Sequence, residues 1–240
     1  MGLRERWNEV AADTAGTPAY WSLTATNAGM RRVMEPLLAS LDPGLVLDTG
    51  AGALAFRQFI TGRSGLHYLA CDLAHTHPDL NFVADGTNLP VRTGAAQTVI
   101  CSAVIEHVPD TQALLNELRR VLAPGGFLLM TVPHVHYIHA EPHDYYRFTE
   151  FGIRHVLERA GFDVVSVESV GGLTAHLSTL ASSAWLGLCA RPRLLRALAL
   201  AANRILVSLC CALDRRLDRA GKYAMGYVVA AHPSRREHDS

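Results

Sequence analysis

The segment Leu45–Arg57 restricts the possible folds of this chain more than any other. An apolar run ends at Asp48, and two glycines, Gly50 and Gly52, follow one residue apart. This order is typical of a strand that leads through a tight turn into a helix, where a nucleotide-like ligand can lie against bare backbone. We therefore predict a helix over residues 52–61. The glycine spacing alone is compatible with several nucleotides.

Further apolar runs of strand length alternate with helical patterns. The predicted strands lie at 45–48, 66–71, 81–84, 97–103, 126–132, 162–168 and 223–231, and further helices at 111–122 and 149–160. Short apolar strands between amphipathic helices indicate a parallel sheet covered on both faces. We predict an α/β fold with a Rossmann-like, doubly wound, mostly parallel seven-stranded sheet and a helical hairpin inserted before the last strand.

The pattern divides the chain into five predicted regions. These are a helical cap (1–40), a cofactor-binding core (41–170), an apolar helical insertion (171–221), a last core strand (222–231) and a polar tail (232–240). The insertion holds two long apolar runs, the second of which is interrupted only by Asn203 and Arg204. We expect two packed helices there, and membrane-surface contact or a membrane span are the alternatives.

Composition limits the partners and the compartment. Basic and acidic residues number 22 each, so the net charge is zero and a basic footprint for nucleic acid is missing. The five cysteines form no CxxC pair, which favours buried free thiols and a cytoplasmic protein. The first residues lack an apolar signal-peptide core, so we expect no signal peptide.

Three acids end three successive predicted strands: Asp48, Asp72 and Asp85. Ligands of open parallel sheets bind at the carboxyl ends of the strands, so we expect these carboxylates to converge on one crevice. The carboxylate of Asp72 suits a ribose diol, and Asp85 with its following amide suits an adenine edge. Each acid alone also fits a turn or a helix cap, but three in succession favour a nucleoside ligand.

The chain resembles the class I S-adenosylmethionine-dependent methyltransferases from about Leu45 to Phe162. The resemblance rests on LDTGAG at 47–52, Asp72, DGTNLP at 85–90, VICSAVIEHV at 99–108 and LRRVLAPGG at 118–126. Phe56-Arg57 and HAEPHDYYRFT at 139–149 are similar to a bacterial subgroup with a PHDYYRFT-type loop. One departure is Leu54, which replaces the third glycine of the usual pattern and narrows the turn.

This resemblance implies S-adenosylmethionine as cofactor and S-adenosylhomocysteine as product. It places the methionine end of the cofactor at the glycine turn, the ribose at Asp72 and the adenine beside Leu73 and Asp85. The residues after the fourth strand would line the side of methyl transfer. The predicted cofactor-binding residues are Asp48, Thr49, Gly50, Ala51, Gly52, Arg57, Asp72, Leu73, Asp85, Gly86, Thr87, Ser102, Ala103 and His107.

Transfer to a hydroxyl or ammonium acceptor requires a base, and histidine is best suited to this role near neutral pH. Candidate bases are His107, His134, His136, His139, His143 and Asp144. We assign catalysis to His139 and His143, with His107, Asp144 and Tyr146 as further candidates. Packing or helix capping would explain His107 and Tyr146 equally well. The histidines also suit a metal ion, but the subgroup loop accounts for them, so we predict no metal.

The predicted function is therefore methyl transfer to an O, N or C atom of a small molecule, such as a natural product, a sugar or a lipid-like acceptor. One alternative is a degenerate cofactor-binding scaffold or membrane-contact protein that acts through 171–221. Another is an NAD(P)-dependent oxidoreductase, because Gly50 to Ala55 also fits the G-x-G-x-x-A variant. The expected partners are the acceptor, no nucleic acid, and a membrane surface or a second copy at 171–221.

Overall fold

The computed structural model describes residues 2–234, and the chain divides into two compact units. One unit comprises Met1–Glu35 with Ser169–Met225, and the other comprises Pro36–Glu168 with Gly226–Ser240. The second unit contains most of the sheet. Residues 235–240, which belong to the predicted polar tail, lie outside the described residues. The division into five regions stays a prediction.

One seven-stranded sheet forms the centre of the second unit, in the order β3-β2-β1-β4-β5-β7-β6. Its strands are β1 (Gly44–Thr49), β2 (Leu66–Asp72), β3 (Phe82–Val83), β4 (Ala96–Ser102), β5 (Leu122–Pro133), β6 (Phe162–Val170) and β7 (Gly226–Pro233). Strands β3, β2, β1, β4 and β5 are parallel neighbours, whereas β7 runs antiparallel to β5. The predicted mostly parallel seven-stranded sheet is confirmed.

The central strands carry side chains that are buried on both faces of the sheet. Val46 and Leu47 on β1, Val99 and Ile100 on β4, and Leu128 on β5 are fully buried. Continuous apolar runs of this kind are expected where a parallel sheet is covered on both sides. The core therefore lies along β1, β4 and β5, and the carboxyl ends of these strands form a rigid edge.

Two helices of this unit follow the predicted pattern. The first, α3 (Thr111–Val121), is capped by Asp110, whose carboxylate accepts the N–H of Ala113 at 3.0 Å. It buries Leu114, Leu115, Leu118 and Val121 on one face. The second, α4 (Glu150–Arg159), is capped in the same way by Thr149. Both predicted helices are confirmed to within about two residues.

The predicted helix at 52–61 is wrong. That segment consists of turns and one short 3₁₀ helix, Arg57–Phe59. Gly50, Gly52 and Leu54 all have positive φ angles, of 66°, 51° and 57°. Left-handed residues at alternate positions break the hydrogen-bond ladder of a right-handed helix, so the helix cannot begin directly after the turn.

The first unit is helical. It contains α1 (Leu3–Thr14), a 3₁₀ helix (Pro18–Ser22), most of α2 (Ala25–Ala39), α5 (Leu173–Leu188) and α6 (Arg193–Leu217). Trp7, Val10, Leu23, Leu186 and Ala199 form a buried cluster that joins α1, α5 and α6. The buried carboxylate of Asp214 on α6 accepts the N–H groups of Thr174 and Ala175 at 2.8 and 2.7 Å. The end of α6 therefore caps the start of α5, which closes the pair as a hairpin.

Among the described residues, α6 is long and apolar enough to cross a membrane by length and composition alone. Only 17% of its most apolar window is buried. The core helix of a globular unit is mostly buried, so this helix is not an ordinary core helix.

Candidate functional site

The carboxyl ends of four parallel strands bring the predicted polar residues to one edge of the sheet. Asp48 is the fifth residue of β1, Asp72 ends β2, and Asp85 follows the end of β3 by two residues. Ser102 ends β4 on the other side of β1. The strand order places these ends side by side, so the three acids lie at one edge of the sheet, as the sequence predicts.

The turn after β1 presents bare backbone to open space. At Gly50, a Cβ atom would lie 2.3 Å from Cγ2 of Val104, so no other residue fits. At Gly52, a Cβ atom would meet no heavy atom within 4 Å. The N–H of Gly52 donates to Oδ2 of Asp72 at 2.8 Å, which ties the turn to the end of β2. Gly50 therefore allows close approach of the β4 loop, and Gly52 leaves room for a ligand.

Leu54 occupies the position of the third glycine with a left-handed backbone. Its φ angle is 57°, and its side chain is buried with Ala70 and Leu80. A left-handed conformation costs a branched residue about 1–2 kcal/mol. Burial of the leucine side chain offsets this strain, so the chain keeps the glycine-like turn without a glycine.

Asp48 is a buried acid that accepts a hydrogen bond from Tyr68. Its side chain is 1% exposed, and the hydroxyl of Tyr68 donates to Oδ2 at 2.6 Å. Burial raises the pKa of Asp48 to about 7, the hydrogen bond from Tyr68 opposes this shift, and the charge of Asp72 adds to it. The Asp48 carboxyl therefore changes charge near neutral pH, and the two acids lie close enough to influence each other.

Asp72 and Asp85 are accessible acids at the same edge. The Asp72 carboxylate accepts the N–H of Leu73 at 2.7 Å, and the Leu73 side chain is 72% exposed. Asp85 accepts the N–H and the hydroxyl of Thr87 at 2.9 and 2.8 Å. Both acids are held in place and still reach solvent, as a ligand site requires.

The other predicted cofactor residues differ in accessibility. Thr49 is fully buried and its hydroxyl donates to the carbonyl of Ile100. Arg57 pairs with Asp79 at 2.5 Å on the surface. The Ser102 hydroxyl is hydrogen-bonded to that of Thr131 at 2.7 Å. Ala51 and Gly86 are half-buried, and Ala103 is exposed with a φ angle of 53°. Their contacts with a cofactor stay predictions.

A cluster of two histidines and one glutamate follows β4. Glu106 and His107 lie in a 3₁₀ helix (Ile105–His107), and His139 lies in the loop after β5. Oε1 of Glu106 is 3.8 Å from Nε2 of His107 and 3.9 Å from Nε2 of His139. The two imidazoles meet edge to face, with ring centroids 4.8 Å apart. The structure thus joins two predicted catalytic histidines with an acid.

Glu106 is a site residue to which the sequence analysis gave no role of its own, although it lies among the residues after the fourth strand. Its side chain is fully buried, and neither carboxylate oxygen has a hydrogen-bond partner elsewhere in the described part of the chain. Burial raises the pKa of Glu106 to about 7, while its own backbone N–H and the charge of Arg147 partly lower it. The sequence feature that could have identified Glu106 is its position beside His107, directly after a strand of buried residues.

The loop after β5 holds His139 through Asp144 and Arg147. The Asp144 carboxylate binds the Arg147 guanidinium at 2.5 and 2.7 Å, and this hydrogen bonding holds the pKa of Asp144 well below its usual range. Oδ2 of Asp144 also accepts the N–H of His139 at 2.8 Å and lies 3.5 Å from its Nδ1. Desolvation, followed by the charge of His136, lowers the pKa of His139. Asp144 therefore positions His139, which is neutral at pH 7.

The remaining catalytic candidates have partners of their own. The His143 imidazole lies 3.0 Å from the hydroxyl of Tyr145, and the His143 carbonyl lies 2.6 Å from Nδ1 of His107. The Tyr146 hydroxyl donates to the carbonyl of Pro109 at 2.7 Å. The structure therefore does not join the side chains of His143 and Tyr146 to the cluster. Their catalytic role stays a prediction.

Comparison with known proteins identifies the family. The sequence profile of the methyltransferase domain matches residues 24–167, which is more than half of the chain. An uncharacterized methyltransferase of Mycobacterium sp. (strain KMS) is 32% identical over 123 residues, covering 47% of this chain and 48% of the relative. A demethylmenaquinone methyltransferase of Streptomyces griseus is 29% identical over 140 residues, covering 52% and 60%. The matched segments thus span about half the length of these curated relatives.

A solved structure shows the same fold. It is phosphoethanolamine N-methyltransferase 2 of Haemonchus contortus in complex with phosphomonomethylethanolamine and S-adenosylhomocysteine. The TM-score is 0.57 at 18% identity, and the match covers 98% of this chain and 60% of that one. Together with the acidic edge and the glycine turn, the profile match shows that the chain belongs to the methyltransferase domain family, the class I S-adenosylmethionine-dependent methyltransferases.

Proposed function

We propose that this chain transfers the methyl group of S-adenosylmethionine to an O, N or C atom of a small molecule. The observation that carries the proposal is the contact between the glycine turn and the loop after β4. Gly50 faces Val104, two residues before Glu106 and three before His107. A cofactor held at the turn would therefore lie beside the Glu106–His107–His139 cluster.

The open edge fits the parts of the cofactor. The space at Gly52 admits the methionine end, and ionised Asp48 would pair with its ammonium group. Asp72 can accept both ribose hydroxyl protons, and the exposed side chain of Leu73 can cover one face of the adenine. Asp85 can accept a proton of the adenine amino group. These roles require only groups that already lie at the strand ends.

The residues of the cluster would handle the acceptor. The bound cofactor supplies a sulfonium methyl, which forms a bond to the acceptor's electron pair while the sulfur keeps the electrons of the broken C–S bond. Neutral His139 would take the proton of an acceptor hydroxyl or ammonium through a ring nitrogen. Asp144, fixed by Arg147, would then stabilise the imidazolium. Positioning in line with the methyl would supply most of the rate.

Cofactor binding tests this proposal directly. We expect S-adenosylhomocysteine to raise the melting temperature of the wild-type chain, as measured by differential scanning fluorimetry. Asp72→Ala should weaken binding in calorimetry by about 10–100-fold, because hydrogen bonds to a charged group contribute about 1.5–3 kcal/mol. Asp163→Ala, at an exposed acid on β6, is the matched control and should bind normally. Absence of binding to the wild type would favour the scaffold alternative.

We further propose that the hairpin of α5 and α6 binds the surface of an anionic membrane. The methyl acceptor would then be an apolar molecule, and the protein would be located in the cytoplasm. Helix α6 exposes a row of large apolar side chains: Leu194, Leu195, Leu198, Ile205, Leu206, Leu209, Leu213 and Leu217. Basic residues stand near both of its ends: Arg191, Arg193, Arg196, Arg215, Arg216, Arg219 and Lys222. An exposed apolar surface bordered by arginines matches the interface of a bilayer that contains anionic lipids.

Vesicle flotation tests the membrane surface. The wild type should float with phosphatidylglycerol-containing vesicles, and the double variant Leu198→Glu/Ile205→Glu should not. Both side chains are more than 60% exposed, so this variant should fold normally. The control variant Phe151→Glu changes an exposed apolar residue on α4 and should float like the wild type. A dimer that dissociates in the double variant, without flotation of the wild type, would show a second copy as the occupant.

A further inference from the structure

The structure assigns a second function to the cluster: we propose that Glu106, His107 and His139 bind a divalent transition-metal ion. One ligand atom from each residue lies within 4.8 Å of the other two. In a tetrahedral site with bonds of about 2.0–2.1 Å, ligand atoms are separated by roughly 3.3 Å. Inward movements of about 1 Å or less per side chain would therefore complete the site. The sequence predicts no metal, and titration of the metal-free chain with Zn²⁺ decides between that prediction and this proposal.

The unpartnered carboxylate of Glu106 is the first observation that points to a ligand. Within the described residues, this fully buried carboxylate has no hydrogen-bond partner outside Glu106 itself, and native structures rarely leave such groups unsatisfied, because burial without a partner is costly. Nε2 of each imidazole approaches Oε1 of this carboxylate, at 3.8 and 3.9 Å. A cation between the three atoms would neutralise the carboxylate.

The outer nitrogen of His107 has the contact found around metal ligands, and that of His139 faces an acid. Nδ1 of His107 lies 2.6 Å from the carbonyl of His143. Nδ1 of His139 lies 3.5 Å from the carboxylate of Asp144 and makes no hydrogen bond within the described residues. Protons on these Nδ1 atoms leave the lone pairs of Nε2 directed into the cluster. Ligating histidines usually contact a carbonyl or carboxylate through their other nitrogen in this way. Arg147 in turn fixes Asp144.

The donor set determines the class of ion. Two imidazoles and one carboxylate suit Zn²⁺, Co²⁺ or Fe²⁺, whereas Mg²⁺ and Ca²⁺ prefer oxygen ligands. The side chains of His107 and His139 are 23% and 28% exposed, so the open coordination positions reach solvent. If the proposed methyl transfer is correct, the ion would lower the pKa of an acceptor hydroxyl bound there, and the proton would pass to solvent. This role of the ion would take the place of the base role of His139, because Nε2 of His139 would then be a ligand.

Metal binding can be tested without cofactor or acceptor, so its failure is distinct from failure of the proposed function. Isothermal titration of the metal-free full chain with Zn²⁺ at pH 8 should give one site, and Mg²⁺ should give none. Glu106→Gln and His139→Ala should each weaken Zn²⁺ binding by at least about 100-fold, more than most outer-shell changes do. His143→Ala retains the carbonyl that contacts His107, so it should bind Zn²⁺ like the wild type.

Thermal stability shows whether Glu106 binds the metal ion or only supports the fold. Without metal, the melting temperatures of the wild type and Glu106→Gln show that both proteins fold and give the baseline for the metal-bound state. With Zn²⁺, only the wild type should gain stability. Equal Zn²⁺ affinity in the wild type and Glu106→Gln, or absence of a site in the wild type, would overturn the proposal.

Discussion

At the scale of single residues, backbone strain and side-chain burial have opposite effects on stability at Leu54. Its left-handed backbone favours glycine, and its buried side chain favours leucine. Truncation of a buried leucine to alanine costs about 2–5 kcal/mol, whereas relief of the left-handed strain returns about 1–2 kcal/mol. We expect Leu54→Gly and Leu54→Ala both to be destabilised, with the glycine variant the more stable by about 1 kcal/mol in urea unfolding.

Leu80 provides the control for this comparison. It packs in the same small cluster as Leu54 and does not have a positive φ angle. Glycine in an ordinary conformation is less favourable than alanine by about 0.5–1 kcal/mol, so Leu80→Gly should be less stable than Leu80→Ala. If the glycine variant is less stable than the alanine variant at both positions, the backbone strain at Leu54 is negligible.

Asp48 should make stability fall as the pH rises. Its pKa is about 7 in the folded chain and near 3.9 when unfolded, so between these values the folded state binds the additional proton. Stability from this group is complete below about pH 4 and is lost as the pH rises to 7. We expect Asp48→Asn to unfold like the wild type at pH 4 and to be more stable at pH 8, by on the order of 4 kcal/mol.

Cofactor affinity should change in the opposite direction in the same variant. At pH 8 the ionised Asp48 pairs with the ammonium group in the proposed complex, and asparagine cannot replace that charge. Calorimetry at pH 8 should therefore show weaker S-adenosylhomocysteine binding to Asp48→Asn. Improved stability together with unchanged affinity would place the ammonium elsewhere.

The three acids were predictable from the sequence because strand ends and parallel topology determine their positions. Glu106 was not, since its importance depends on a contact with His139, which lies 33 positions along the chain in an irregular loop. Apolar periodicity carries no information about where such a loop folds back. The sequence therefore identified His107 and His139 separately, and only the structure brought the acid between them.

At the scale of secondary structure, Asp214 links the two helices of the hairpin. Its buried carboxylate accepts two N–H groups in the first turn of α5, and Gly172 leaves room for it, because a Cβ atom there would lie 2.6 Å from Cγ of Asp214. Loss of a helix cap costs about 0.5–2 kcal/mol, and burial of the orphaned donors adds to that cost. Asp214→Ala should therefore lower the free energy of unfolding by about 2 kcal/mol, measured with urea.

An exposed ion pair in the same unit shows whether burial is the cause. Asp13 pairs with Arg196 at 2.7 Å, and its side chain is 60% exposed. Exposed pairs contribute at most about 1 kcal/mol, so Asp13→Ala should have a small effect. Comparable losses in the two variants would contradict the capping role of Asp214.

Helices were predictable where one apolar face repeats, as in α3, and unpredictable where backbone angles decide. The turn from Gly50 to Leu54 contains enough apolar residues to suggest a helix at 52–61. The left-handed angle of Leu54 cannot be inferred from its side chain, since leucine rarely adopts it. Leu54 packs with Ala70 and Leu80, which are distant from it in the sequence, so a local sequence pattern does not reveal this contact.

At the scale of the whole molecule, the charge distribution favours a membrane surface over a polynucleotide as a partner. The net charge is zero and the isoelectric point is about 7.2, so no long-range field attracts a polynucleotide. The arginines near the ends of α6 are separated by exposed apolar side chains, among which the exposed Arg204 is the basic residue. RNA would leave these apolar side chains uncovered, and a bilayer would bury them. We expect binding to anionic vesicles and no binding to single-stranded RNA at 0.15 M salt, in parallel sedimentation and filter-binding assays.

The dependence of binding on salt concentration further distinguishes a polynucleotide from a membrane. Binding that depends on phosphate contacts weakens steeply as salt rises, because each neutralised phosphate releases a counterion. Binding that depends on burial of leucines persists, since screening does not weaken the hydrophobic effect. Vesicle binding should therefore weaken at 0.5 M salt, because screening reduces the attraction between the arginines and anionic lipids. It should nevertheless persist through burial of the leucines, and it should disappear in Leu198→Glu/Ile205→Glu. RNA binding that persists in this variant and vanishes at 0.5 M salt would instead make the basic residues of α6 a polynucleotide site.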